Sequence, residues 1–177
     1  MATILAFAGS NSSTSINYKL VNHTIDLVKE HDCKLINLAN YPFPMYSHDE
    51  EKDKGFINSL IELKDYFIDA DAIILSVNEH NGGPSAYFKN VLDWISRVDI
   101  KFLADKKIFL MATSPGKRGA IGALESIEKL LPRFGGEVVS TFSLPSFDAN
   151  FSEANGISDA VLAKQHQNEL SDFLSKL

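Results

Sequence analysis

Cysteine is almost missing. Cys33 stands alone among 177 residues, so no intrachain disulfide can form. It heads the apolar segment Cys33 to Leu38 and has no Cys-x-x-Cys companion, which reads as a buried structural thiol and not a redox centre. A basic excess is missing too: 17 Lys and Arg against 23 Asp and Glu give a net charge of -6, which leaves no electrostatic footprint for nucleic acid or an anionic membrane. No uncharged apolar run approaches the roughly 20 residues of a spanning helix. The opening Met1 to Ala8 lacks the basic stretch of a secretory signal. These absences predict a cytoplasmic protein with neither a membrane nor a nucleic-acid partner. The histidines, His23, His31, His48, His80 and His166, are spaced like no metal site, and no metal is expected. Repeats, low-complexity stretches and linkers are lacking as well.

What is present suits one core. With 45% apolar residues the chain reads as a single domain over residues 1–177. Short runs of apolar and β-branched residues at Thr3 to Ala8, Lys34 to Leu38, Ala72 to Val77, Lys107 to Ala112 and Glu137 to Phe142 are too continuous for amphipathic helices. They predict buried parallel strands. Between them, apolar residues recur three or four apart, as in Tyr18, Leu20, Val21, Ile25 and Val28, or Ile57, Leu60, Ile61, Leu63 and Phe67, and these predict helices. The last helix falls near Ser158 to Lys176. Such alternation predicts an α/β fold of three layers, a doubly wound five-stranded parallel sheet in the order 2-1-3-4-5. Ligands in open sheets of this kind bind beyond the carboxyl ends of the strands, where the strand order reverses. The loops after strands one, three and four are therefore where chemistry is expected.

The first of these loops, Gly9 to Asn17, is a run of hydroxyls and amides opening a helix. Unpaired backbone N–H groups and Ser and Thr donors suit a phosphate there; Ser15 as a plain helix cap in a polar turn accounts for the same residues. The spacing matches neither the P-loop nor the dinucleotide pattern. After strand three, Asn78 to Ser85 contains Gly82 and Gly83, which permit close backbone approach to a flat ligand. After strand four, Thr113 to Gly122 is again glycine-rich and carries Lys117 and Arg118. An aromatic and proline-rich stretch, Asn40 to Tyr46, follows strand two and reads either as a wall of a substrate pocket or as core packing.

Two of these segments resemble the NADPH-dependent FMN reductase family, which includes flavodoxin-like quinone, azo and chromate reductases. Glu79, Asn81, Lys89, Asn90, Asp93, Trp94, Ser96 and Arg97 match the family's P-E-Y-N and L-K-N-x-x-D-W-x-S-R, and Gly9, Ser10, Ser15 and Asn17 match its G-S-x-R-x-x-S-x-N. The loop after strand four is similar to its S-x-G-x-x-G-G. The departures are Ser12 for the family's arginine, Asn78 and His80 for its proline and tyrosine, and Ala120 for its second glycine.

The resemblance implies an FMN site built from Ser10, Ser12, Ser15, Ile16 and Asn17 in the first loop. It adds Asn78, Glu79, His80, Asn81 and Gly82 in the second, and Ser114, Gly116 and Gly119 in the third. It also implies NADPH or NADH as donor, a small-molecule electron acceptor, hydride passing through flavin N5, and a homodimer or homotetramer. No side chain is assigned as catalytic because the cofactor carries the chemistry; His80 reads as a proton donor or as a flat wall beside the ring. Lys89, Asp93 and Arg97, four apart, predict an ion-pair ladder, and Trp94 a core or subunit-interface position. Two other readings of the scaffold are an FMN electron carrier without NAD(P)H activity and a flavin-free binding protein.

Overall fold

The apolar runs at the centre of the sheet fold as strands because both of their faces are covered, while the edge runs are only partly buried. In the computed structural model, which describes all 177 residues, β1 (Thr3–Ala8), β2 (Asp32–Leu35), β3 (Ala72–Val77), β4 (Lys107–Thr113) and β5 (Glu137–Leu144) pair in parallel in the order β2-β1-β3-β4-β5. The helices are α1 (Ile16–Asp26), α2 (His48–Lys54), α3 (Asn58–Asp69), α4 (Ala86–Val98), α5 (Ile121–Leu130), α6 (Phe147–Asn150) and α7 (Ala160–Leu174). This is a flavodoxin-like sheet, with its order reversing between β1 and β3.

Alternate residues of each strand enter different cores, as the two-residue period of a strand requires. Ile4, Ala6, Ala72, Ile74, Phe109 and Met111 pack on α1 and α7 with Leu20, Val21, Leu170 and Phe173. Leu5, Phe7, Ile73, Leu75, Ile108 and Leu110 pack on α3, α4 and α5 with Leu60, Leu63, Phe88, Val91 and Ile127. No helix is long and apolar enough to cross a membrane.

Several elements depart from the sequence expectation, among them β2, α2 and β5. The edge strand β2 starts at Asp32 and ends at Leu35, not at Leu38, because the Asn37 side chain accepts from Ala39 N–H at 3.0 Å and turns the chain into a short 3-10 helix. The unforeseen α2 has no buried residue; it stands on its Ser47 cap, three acids in its first turn and two lysines in its last. Strand β5 runs on to Leu144, two residues past the expected end, and bulges against β4 beyond the Ile108 pair.

Two buried polar groups tie layers together. The Lys106 ammonium donates to Ala70 O at 2.6 Å and Ile68 O at 3.2 Å, closing the end of α3, and burial pulls its pKa down. His166 of α7, 1% exposed, lies 2.9 Å from Thr24 Oγ1 of α1. The threonine spends its hydroxyl proton on Leu20 O at 2.8 Å, so the imidazole is the donor, from Nε2. Burial first, and the neighbouring His23 second, lower the His166 pKa to about 4.

Candidate functional site

The first loop leaves β1 at Gly9, whose N–H still bonds Ser76 O of β3 at 2.9 Å. A Cβ at Gly9 would stand 2.7 Å from the Phe88 ring, so only glycine lets α4 pack there. The loop then turns on its own hydroxyls: Ser10 Oγ accepts from Ser12 N–H at 3.2 Å, and Ser12 Oγ from Thr14 N–H at 3.3 Å. Ser15 caps α1 by accepting from Tyr18 N–H at 3.2 Å. Ser12 and Thr14 are exposed.

Asn17 has a different task from its neighbours. Its Oδ1 accepts from Ser76 Oγ at 2.7 Å and Thr113 N–H at 3.1 Å, and its Nδ2 donates to Thr113 O at 3.2 Å. One side chain thus joins the carboxyl ends of β3 and β4 beneath α1.

The loop after β3 is a hairpin. Glu79–His80 pairs antiparallel with Gly83–Pro84 around Asn81 (φ 54) and Gly82 (φ 81), the two positive-φ positions of a type I′ turn. The Asn-Gly pair was the sequence signal for it. The Glu79 carboxylate accepts from Ala123 N–H at 2.9 Å, capping the first turn of α5 and joining the second loop to the third. Gly122 makes room for this contact, since a Cβ there would lie 2.8 Å from Glu79 Oε2 and 2.7 Å from Gly82 O. The Asn78 Nδ2 stands 3.2 Å from His80 Nε2, while Asn78 Oδ1 is buried with no hydrogen-bond partner.

The third loop is fixed to the end of β5. Gly116 O accepts from Ser146 N–H at 2.9 Å and Gly119 O from Ser143 Oγ at 2.8 Å. Gly119 adopts φ 59 with Pro145 N only 3.0 Å from where its Cβ would be. Ala120 is also left-handed, at φ 62, and fully buried, a backbone conformation that glycine adopts more readily.

A cleft of about 240 Å³ opens where these loops meet, at the switch point. Ser10, Ser12, Ser15, Ile16 and Asn17 line it from the first loop, Asn78, Glu79 and His80 from the second, and Ser114 from the third. Thr14, Thr113 and Pro115, which the sequence reading did not single out, complete it. Asn81, Gly82, Gly116 and Gly119 do not line it. A Cβ at Gly82 would meet nothing within 4 Å, and one at Gly116 only Ser114 Oγ at 3.7 Å, so both stand beside open space, whereas Gly119 is packed. No lysine or arginine lines the cleft; Lys19 is paired with Glu153 at 2.7 Å, and Lys117 and Arg118 are exposed. No group of three His, Cys, Asp or Glu side chains is placed to hold a metal.

The remaining residues singled out in the sequence are structural. The expected ladder on α4 is split: Lys89 pairs with Asp93 at 2.5 Å, but Arg97 leaves it for Glu51 of α2, with bonds of 2.9 and 3.2 Å. Arg97, helped by the Tyr46 hydroxyl, holds the Glu51 pKa below the ordinary carboxylate value. Trp94 is core, 3% exposed, and its Nε1–H donates to Pro44 O at 2.8 Å. With Asn90, which bonds Pro44 O and Tyr46 N–H, and Tyr87, which donates to Leu38 O and Tyr41 O, it straps the aromatic loop to α4. Cys33 is half-buried at the sheet edge, its thiol pKa pushed up by burial.

The family model for NADPH-dependent FMN reductase matches residues 2–149. An NADPH:quinone oxidoreductase of Arabidopsis thaliana is 30% identical over 120 residues, 66% of this chain and 60% of the relative. A quinone reductase of Escherichia coli K12 is 26% identical over 88 residues, 50% of this chain and 47% of the relative. The matched segments thus span between about half and three-fifths of these curated relatives. Among solved structures, the flavoenzyme NAD(P)H:(acceptor) oxidoreductase FerB of Paracoccus denitrificans superposes with a TM-score of 0.80 at 24% identity, over 99% of this chain and 96% of that one. A flavodoxin of Bacillus cereus reaches 0.57 at 18% identity, over 99% and 98%. These two likenesses are of fold. With the motifs on the switch-point loops and a family match over most of its length, the chain belongs to the NADPH-dependent FMN reductase family.

Proposed function

We propose that the chain binds FMN in the switch-point cleft and is an NAD(P)H-dependent oxidoreductase whose acceptor is a quinone, an azo compound, a metal oxyanion or free flavin. The observation that carries this reading is the cleft's lining, hydroxyl groups at the N-terminus of a helix where the three switch-point loops meet. When bound, FMN supplies the hydride chemistry, which is why no triad or metal is needed.

The residues present fit such a group. Ser10, Ser12, Thr14 and Ser15 offer hydroxyls, with the N-terminus of α1, to a phosphate without any cation. Asn17 and Glu79 hold the three loops in register and are already bonded to partners within the protein, so their part is to shape the cleft. Asn78 and His80 present polar groups to a ring. The exposed Lys117 and Arg118 stand free for the phosphates of a nicotinamide nucleotide. The quinone-reducing relatives favour a small planar acceptor. The protein would work in a reducing cytoplasm as a homodimer or homotetramer, which sedimentation velocity reads directly.

Purified protein titrated with FMN is expected to bind it saturably, and anaerobic NADPH or NADH to bleach the visible flavin band. The nucleotide that bleaches faster is the donor. Bound FMN that neither nucleotide bleaches would make the chain an electron carrier, and no FMN binding would overturn the proposal.

A further inference from the structure

The chain contains two Asn-Gly pairs, Asn81-Gly82 and Asn155-Gly156, each at the turn of a two-stranded hairpin. In such a pair the glycine nitrogen can close a five-membered ring on the asparagine side chain, since no Cβ on the glycine obstructs it. The fold treats the two pairs differently. Asn81 and Gly82 are both exposed, a Cβ at Gly82 would meet nothing within 4 Å, and the Gly82 N–H makes no backbone hydrogen bond. At the other hairpin Gly156 is buried, pairs with Ser152 and packs so closely on the His23 ring that a Cβ would collide with it. There the Asn155 N–H donates to Ser152 Oγ at 3.2 Å, and the Lys19–Glu153 ion pair ties the turn to α1.

We propose that Asn81 is a site of spontaneous deamidation, and that its conversion to isoaspartate unfastens the loop after β3. The Gly82 nitrogen gives its proton to water and attacks Asn81 Cγ; the N–Cγ bond forms, the Cγ–Nδ2 bond breaks, and Nδ2 leaves as ammonia. Water then opens the succinimide at Cγ, giving aspartate, or at the main-chain carbonyl, giving isoaspartate. Nothing is oxidised or reduced. In the left-handed conformation of Asn81 (φ 54) the side chain and the next nitrogen lie on opposite sides of the Cα–C bond, so attack passes through an opened turn. Only two residue pairs close this hairpin and its tip is solvated, which keeps that opening within easy reach. Isoaspartate inserts the side-chain methylene into the main chain, and a two-residue type I′ turn does not accommodate an extra atom. The His80–Gly83 pair is lost with it, and Glu79, the next residue along, loses the register in which it caps α5. The modification therefore acts on the segment that carries Asn78, Glu79 and His80 to the cleft.

The test ages ligand-free protein in mildly alkaline buffer and reads its peptides by mass spectrometry, with electron-transfer fragmentation to tell isoaspartate from aspartate. Conversion at Asn81 is expected to run about ten-fold faster than at Asn155, with isoaspartate as the larger product. In urea the two sites should convert at similar rates, because the fold alone separates them. Glu79→Ala, which frees the hairpin from α5, should speed Asn81 and leave Asn155 unchanged. In the isoaspartate-rich fraction, separated by its added negative charge, hydrogen exchange at Ala123 N–H should be faster than in fresh protein, while Thr113 N–H, held by Asn17, keeps its protection. Asn81→Asp, which adds the charge without the methylene, should leave Ala123 protected. Equal rates at Asn81 and Asn155 in folded protein, or no conversion at Asn81, would overturn the site. Unaltered Ala123 exchange in the aged fraction, or the same loss in Asn81→Asp, would overturn the effect assigned to the loop. None of these measurements involves FMN, so the inference is tested independently of the function proposed above.

Discussion

At the scale of single residues, Asn17 shows how far a motif residue can be from its ligand chemistry and still be required. It is 2% exposed, and all of its side-chain hydrogen bonds go to Ser76 and Thr113. Asn17→Ala would leave the Thr113 N–H and C=O and the Ser76 hydroxyl buried without that partner, at a cost of about 3 kcal/mol. Urea unfolding of the ligand-free protein should find that loss, with an unchanged dependence on denaturant. A loss under 1 kcal/mol would mean that water replaces the amide. Thr24 and His166 make the same point two turns further along the same face of α1, where a hydroxyl relays between a helix carbonyl and an imidazole.

At the scale of elements, the Glu79 cap of α5 joins two loops that are far apart in sequence. A carboxylate on the first turn of a helix gains from both its hydrogen bond and the helix dipole. Glu79→Ala should cost ~1–2 kcal/mol, and Glu79→Gln about half of that; thermal unfolding of the two variants against the wild type measures the split. Equal losses would mean that charge contributes little and geometry everything. The five strands and the main helices were legible because their signals are local: continuous apolar runs for the central strands, covered on both faces, shorter apolar and β-branched runs for the edge strands, and apolar stripes for helices. The short α2 was harder to read because it buries nothing, although Ser47 and Glu50 form the pattern of a capped start. The end of β2 was missed because a side-chain turn at Asn37, and not an apolar boundary, decides it. The cleft-lining serines and Asn78 were legible from motif positions. The cap made by Glu79 and the partner exchange of Arg97 depend on residues more than 40 positions away, and nothing local announces them.

At the scale of the whole molecule, the buried His166 sets an acid limit on stability. Its folded pKa, about 4, lies below the 6.5 of an unhindered imidazole. The unfolded chain therefore binds a proton more readily, and the contribution is fully present above pH 6.5 and lost as the pH falls through about 4. The full displacement corresponds to ~3 kcal/mol. Unfolding midpoints in urea across this window should fall steeply for the wild type and more gently for His166→Leu. Parallel curves would assign the acid limit to other groups, beginning with the nearby His23, whose pKa burial also lowers.

The strap over α4 has a practical consequence of another kind. Trp94 is the only tryptophan in the chain, it meets the Tyr46 ring edge-on at 5.1 Å, and its indole N–H is committed to Pro44 O. The protein thus carries its single indole fluorophore at the seam between helix and strap, shielded from solvent only while the two stay joined. Its emission colour is a continuous optical gauge of that seam, readable in dilute solution without any label.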